Sequence, residues 1–443
     1  MKKIATASIF LIFSLSLSAQ NKQWTLNECV EHALSNNISV KQSELELERT
    51  EADKLQAFGN FLPSLNANMS ASKNTGLSLN PTNNRLENTT FGSASGAVNV
   101  GLNIFDGLRN VREMQRAKLS ELSAQYRLDK MKDDIALAVA NSYLQVLLNK
   151  ANLEVAKSQN IVTLKQFERT SNLVDAGVLP RGDLLEIKAT DAGEKQRIAV
   201  AENTVRISLI SLAQLLLIKD YATFDIADEE YKIIDGGIAD KDVSEIIASA
   251  KQTRAEVQIA QKDVEIAKKD LQIARGAYYP TLSAFFGYNT RYADNDPLQR
   301  DFVEQIYLND GIGYGLQLNV PIFNGFAVKS NVMRNKINLK NSEYQLEQAE
   351  LDLESNVYQA YVDANGALKA FEAATVALES QQLAYQYAKD RYDVGLTNAF
   401  DFSQAKLRFD NAEIEENRTK FEYIFKLKVL ELYFGVAPSE LKF

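Results

Sequence analysis

The C-terminal half of this chain re-runs its N-terminal half at a constant shift of 218 residues. Ile104, Phe105 and Gly107 recur as Ile322, Phe323 and Gly325; Tyr143 recurs as Tyr361; Asp175, Gly177, Asp183 and Lys188 recur as Asp393, Gly395, Asp401 and Lys406. A register kept through roughly seventy residues between landmarks leaves no room for loops of variable length, so each intervening segment must be one rigid element. The chain is predicted to be a tandem of two long, nearly equivalent repeats, 20–218 and 251–443, with an acidic insert at 219–250.

Residues 1–19 have the layout of a secretory signal: Lys2 and Lys3, an apolar run Ile4–Leu17, then Ser18-Ala19. The run is shorter than the ~20 residues of a membrane-spanning helix. An exported mature chain is expected, and loss of the two lysines takes its formal charge from −9 to −11. That balance disfavours nucleic acid as a partner, because phosphate neutralisation needs a basic surface. A mean hydropathy of −0.24 suits a soluble protein and a membrane β-barrel equally, since alternating strands never register as hydropathy peaks.

Each repeat opens with a helix that a proline ends, at Pro63 and Pro280, and then alternates. Leu65, Ala67, Met69 and Ala71 oppose Asn66, Asn68, Ser70 and Ser72, and Val98, Val100, Leu102 and Ile104 oppose Asn99, Gly101 and Asn103. In the second half Leu282, Ala284, Phe286, Tyr288 and Tyr292, then Ile312, Tyr314, Leu316, Leu318, Val320 and Ile322, do the same. These predict two β-hairpins, about 64–105 and 281–323, of strands roughly 9–12 residues long, the length that crosses a bilayer at a tilt. Four strands cannot close a barrel, so several chains must share one.

Gly107–Ala176 and Gly325–Val394 contain no proline and read as continuous helices, each spanning on the order of 100 Å. In the second, Val357, Ala364, Phe371, Leu378, Tyr385 and Tyr392 with Leu353, Ala360, Ala367, Ala374, Gln381 and Ala388 form a heptad seam, and its alanines permit close helix approach. The matching partner row of the first repeat includes the polar residues Ser142, Asn149, Thr163 and Thr170. Both helices stop at a glycine, with tips near 177 and 395, and return as second helices beginning near Asp183 and Asp401.

No catalytic constellation, cofactor motif or metal set is legible. One histidine, His32, and one cysteine, Cys29, cannot make a zinc site. Cys29 reads as a small core residue. The Gly311-Ile312-Gly313-Tyr314-Gly315 run lies within a strand and lacks the third glycine of a dinucleotide turn. The many carboxylates read as solvated helix faces.

The entry Trp24-Thr25-Leu26-Asn27-Glu28-Cys29-Val30, the helix-ending prolines, the Ile-Phe-x-Gly exits and the tip Arg391-Tyr392-Asp393-Val394-Gly395-Leu396 leading to Asp401 resemble the outer-membrane efflux protein family, the TolC-like channel-tunnels. The resemblance implies a mainly α protein with membrane β: long antiparallel helical hairpins forming a periplasmic tunnel, and four strands per protomer in a trimeric twelve-stranded barrel. It implies the bacterial outer membrane, a homotrimer, a periplasmic adaptor and an inner-membrane pump as partners, no cofactor and no enzymatic activity. By motif match, Gly177, Val178, Gly395 and Leu396 would contact the adaptor, and Asp183, Tyr392 and Asp401 would belong to the closed aperture. Thr397 stands where the family's best-known members have arginine, and Gln404 where they have aspartate, so Arg181 or Arg391 is the expected substitute cation. An exported structural coiled coil and a stand-alone porin are the alternatives.

Overall fold

The computed structural model describes residues 23–79, 83–227, 241–296 and 298–436. The signal-like segment and residues 228–240 of the acidic insert lie outside them. The elements run β1 (Gln23–Trp24), α1 (Leu26–Asn36), α2 (Ile38–Gly59), β2 (Ser64–Leu79), β3 (Leu86–Phe105), α3 (Arg109–Asp175), α4 (Arg181–Leu215), β4 (Asp225–Ile226), α5 (Val243–Thr253), α6 (Ala255–Gly276), β5 (Thr281–Ala293), α7 (Phe302–Leu308), β6 (Gly311–Asn319), α8 (Ala327–Asp393) and α9 (Ala399–Phe434). The two proline-free stretches become helices of 67 residues each. Contacts divide the chain into two compact units, and neither is a sequence repeat. One takes the segment ending at Glu44, Arg127–Val257 and the segment from Glu350; the other takes Leu45–Tyr126 and Gln258–Ala349.

In the first unit, a capping box starts α1. Thr25 Oγ1 accepts from the Glu28 amide at 3.3 Å, and Glu28 Oε2 accepts from the Thr25 amide at 3.1 Å. The single helix expected through Leu62 is instead broken at Asn37, whose extended backbone (ψ 135) interrupts the ladder. Asn37 Oδ1 accepts from the Ser39 amide at 2.8 Å and restarts the chain as α2. Cys29, Ala33, Val139, Tyr143, Val146, Leu212 and Ile226 form the centre of the core. The Tyr143 hydroxyl lies 3.2 Å from Trp24 O and 3.1 Å from Ala227 O, beside the parallel bridge of β1 with β4. A two-residue bridge carries no period, so alternation could not reveal it. The α8 seam is realised, with Leu353, Val357, Ala360, Ala364, Ala367 and Ala374 buried. Around Ala367 it packs on Tyr423 and Leu427 of α9.

The second unit holds one antiparallel sheet in the order β2-β3-β5-β6, with β2 and β6 on its edges. Its register joins the apolar rows into one face. Leu65 lies opposite Val100, Val100 opposite Phe286, and Phe286 opposite Tyr314. The row one position over reads Asn66, Asn99, Gly287 and Gly313. β5 and β6, of 13 and 9 residues, are close to the expected strand length, whereas β2 and β3, of 16 and 20, exceed it. The outer part of the β2–β3 hairpin pairs only with itself, because β5 reaches no further along β3 than Ser93. The last strand stops at Asn319 and leaves Val320 and Ile322 outside it; Pro321 has no amide to donate and restricts the residue before it. Ile104 is also displaced from its predicted place, since the β3–β5 register shifts between Asn103 and Phe105 and sets Phe105 opposite Leu282. Beyond β3, Gly107 takes φ +75 with its Cα against the Gly276 carbonyl, so that a Cβ would come within 2.2 Å of that oxygen.

Candidate channel aperture and docking tips

The two helix ends singled out by the repeat are built alike. Gly177 (φ +73) and Gly395 (φ +79) are left-handed. Val178 N–H reaches Leu173 O at 2.8 Å and Gly177 N–H reaches Val174 O at 3.0 Å; Leu396 reaches Arg391 O at 2.8 Å and Gly395 reaches Tyr392 O at 3.0 Å. Both are Schellman closures, which satisfy the last carbonyls of α3 and α8 and turn the chain into the next helix. They leave Val178 and Leu396 as apolar, solvent-facing tip residues, 67% and 70% exposed.

Asp183 and Asp401 lie in the first turns of α4 and α9. These turns pack together, Ile187 meeting Ala399, Phe402 and Tyr392 in one cluster. Asn398 caps α9 by accepting from the Asp401 amide at 2.9 Å, which leaves the Asp401 carboxylate to accept from Thr397 Oγ1 at 3.1 Å. Thr397 thus gives Asp401 a neutral hydrogen bond where an arginine would give an ion pair. Tyr392 is buried: its ring stacks on Phe402 at 5.1 Å and its hydroxyl lies 3.1 Å from Thr170 Oγ1. At this end Arg169 pairs with Asp393 at 2.6 Å and donates to its carbonyl at 2.9 Å. Arg169 and Asp393 are 224 residues apart, and no local pattern could have joined them.

Deeper between α3, α4 and α9 lies a site the sequence reading missed. Glu194, 2% exposed, accepts from Lys406 Nζ at 2.7 Å, Thr163 Oγ1 at 2.9 Å and Asn160 Nδ2 at 3.1 Å. Lys406 also reaches Asp410 Oδ2 at 3.1 Å, while Asp410 Oδ1 is buried without a hydrogen-bond partner. Burial pushes the Asp410 carboxyl up to about 6 against the pull of Lys406, and Glu194 adds to the rise. Burial likewise lifts Tyr385 to about 12, with Asp410, Asp393 and Glu194 contributing. These carboxylates are not solvated, contrary to expectation. The available signal was the polar partner row of α3: Thr163 and its neighbour Asn160 are two of the donors.

Residues 29–216 and 246–434 match the family described as outer membrane efflux protein. Over 309 residues the chain is 24% identical to outer membrane protein TolC of Vibrio cholerae, covering 69% of this chain and 68% of that one. Over 421 residues it is 23% identical to protein CyaE of Bordetella pertussis, covering 94% and 84%. The solved CmeC outer membrane channel of Campylobacter jejuni shares the fold with a TM-score of 0.79 at 17% identity, over 94% of this chain and 86% of that one. The match takes in both long helical hairpins and both strand pairs. With both halves matched, the chain belongs to the outer membrane efflux protein family, channels of the outer membrane.

Proposed function

We propose that this chain is the passive exit duct of a tripartite export system, assembled as a homotrimer and docked through its tips by a periplasmic adaptor and an inner-membrane pump. The observation that carries the reading is the sheet: four strands, two open edges, and one continuous apolar face. Tyr314, Leu316 and Leu318 on that face are 80%, 67% and 64% exposed. Such a face suits lipid, and in lipid the unpaired edges of β2 and β6 must find partners. Three copies supply twelve strands and pair each β6 with the next copy's β2. The duct needs no tight site for its cargo, because the pump selects it. A trimer by mass measurement in mild detergent is the expected result, and a stable membrane-inserted monomer would overturn the reading.

In this assembly Asp183 and Asp401 of three copies gather six carboxylates around the aperture. Their repulsion opposes closure, and Tyr392, held by Thr170, keeps the two helix ends together. The Asp183→Asn, Asp401→Asn double variant keeps most helix-end stabilisation while losing charge. It is expected to retain its melting temperature and to change single-channel conductance or cation selectivity in planar bilayers. Gly395 has open space around its Cα, so Gly395→Val is opposed by the left-handed backbone alone, a cost of about 1–3 kcal/mol. It should impair adaptor-dependent export while the barrel still assembles. Normal export would separate this tip from docking.

A further inference from the structure

The β5–β6 connection contains α7, which does the work of a missing piece of strand. Pairing of β6 with β5 begins only at Gly311 opposite Asn289, so Thr290 to Ala293 have no β6 residue beside them. The side chain of Gln305, 1% exposed, occupies this notch. Its Oε1 accepts from the Ala293 amide at 3.0 Å and its Nε2 donates to the Ala293 carbonyl at 3.0 Å. One carboxamide thereby reproduces the pair of bonds that a neighbouring antiparallel residue would make. Asn309 Nδ2 donates to Arg291 O at 3.1 Å, Thr290 Oγ1 to Ile306 O at 2.6 Å, and Phe302 lies on Tyr292 with ring centres 5.1 Å apart. Arg300, forked onto Asp296 at 2.7 and 2.8 Å, braces the preceding loop.

At about 100° per residue, Val303 and Tyr307 lie on the helix face opposite Gln305. They are 59% and 75% exposed and point away from β5, across the column that β6 occupies in the sheet. The nine residues of β6 can pair with at most nine of the sixteen in a neighbouring β2. About seven residues of that strand, ~23 Å, therefore run on past β6, more than the ~10 Å length of α7. This outer part of β2 carries Leu77 and Leu79, 71% and 51% exposed, in the same alternating row as Leu65 and Met69. Asp301, Glu304 and Asp310 flank the Val303–Tyr307 face and disfavour its burial in lipid.

We propose that α7 is a bridge between copies, its Val303–Tyr307 face covered by Leu77 and Leu79 of the adjoining copy. The bridge rests on the trimer reading above. Full-length Tyr307→Cys, Leu77→Cys protein in mild detergent, treated with a flexible bis-maleimide, should give covalent dimers and trimers on a denaturing gel. Neither single variant should do so, and the native Cys29 is fully buried. A trimer by native mass without cross-links would overturn the bridge and leave the trimer standing; a monomer would overturn both. Strong quenching of a fluorophore at position 307 by brominated lipid would assign the face to the membrane and also overturn the bridge. Gln305→Ala should lose the cross-link while remaining trimeric, and an undiminished cross-link there would refute the anchoring by Gln305.

Discussion

Lys406→Met should destabilise the helical unit by roughly 3–5 kcal/mol, because it removes the close cation of two buried carboxylates, Glu194 and Asp410, leaving Glu194 only Arg197 at 3.9 Å. The control is provided by the repeat itself. Lys188, the same position in the first half, is exposed, and Lys188→Met should fall within about 0.5 kcal/mol of the parent. Chemical denaturation of the detergent-solubilised protein measures both, and similar losses would show that the Lys406 cluster is not what holds α4 to α9. Adding Asp410→Asn to Lys406→Met should recover part of the loss. Proton linkage gives a second readout. The folded Asp410 carboxyl, at about 6, holds its proton more tightly than an unfolded one at 3.8. Its contribution is therefore full below the unfolded value and is lost as pH rises through about 6. Stability should fall between pH ~4 and ~6, and Asp410→Asn should flatten that stretch of the profile.

Leu316→Arg should cost about 2–4 kcal/mol of barrel stability if its site lies near the bilayer midplane. The side chain stands 67% exposed on the apolar face, across from Ala284. Gln317→Arg, one residue on and opposite Ser283, should leave assembly intact and shift conductance or ion selectivity. Urea titrations of folding into lipid vesicles measure the first effect and planar-bilayer recordings the second. Since one step along a strand exchanges the two faces, equal assembly defects would mean that the sheet faces are assigned the wrong way round.

What the sequence revealed and what it hid follow from the range of the forces involved. Alternation and heptad spacing are local, so the four strands and the α8 seam could be read residue by residue. The glycine tips were legible for the same reason: a left-handed helix end leaves a mark at one position. The break at Asn37 was missed because an asparagine that restarts a helix looks like any helix-flanking polar residue. The irregularity at Ile104 was missed because it depends on the register with β5, and the early end of β6 because the signal of Pro321 was passed over in favour of the alternation running through Ile322. The Glu194–Lys406–Asp410 cluster was least accessible, since Glu194 and Lys406 are 212 residues apart and their burial is decided by how α4 and α9 meet. The charge of Lys406 gives no hint of it, because its counterpart Lys188 is identical and exposed.

Burial of this kind has a consequence for how the two helix joints respond to ionic strength. The contact of α8 with α9 combines alanine, leucine and aromatic surface with one ion pair, Lys426 to Asp363 at 2.7 Å, whose two side chains are about a third exposed. Where α3, α4 and α9 meet, short charge-assisted hydrogen bonds fix both distance and angle, and they weaken steeply on displacement. Added salt should therefore weaken the partly exposed Lys426–Asp363 link of α8 to α9 before it affects the buried pairs around Lys406.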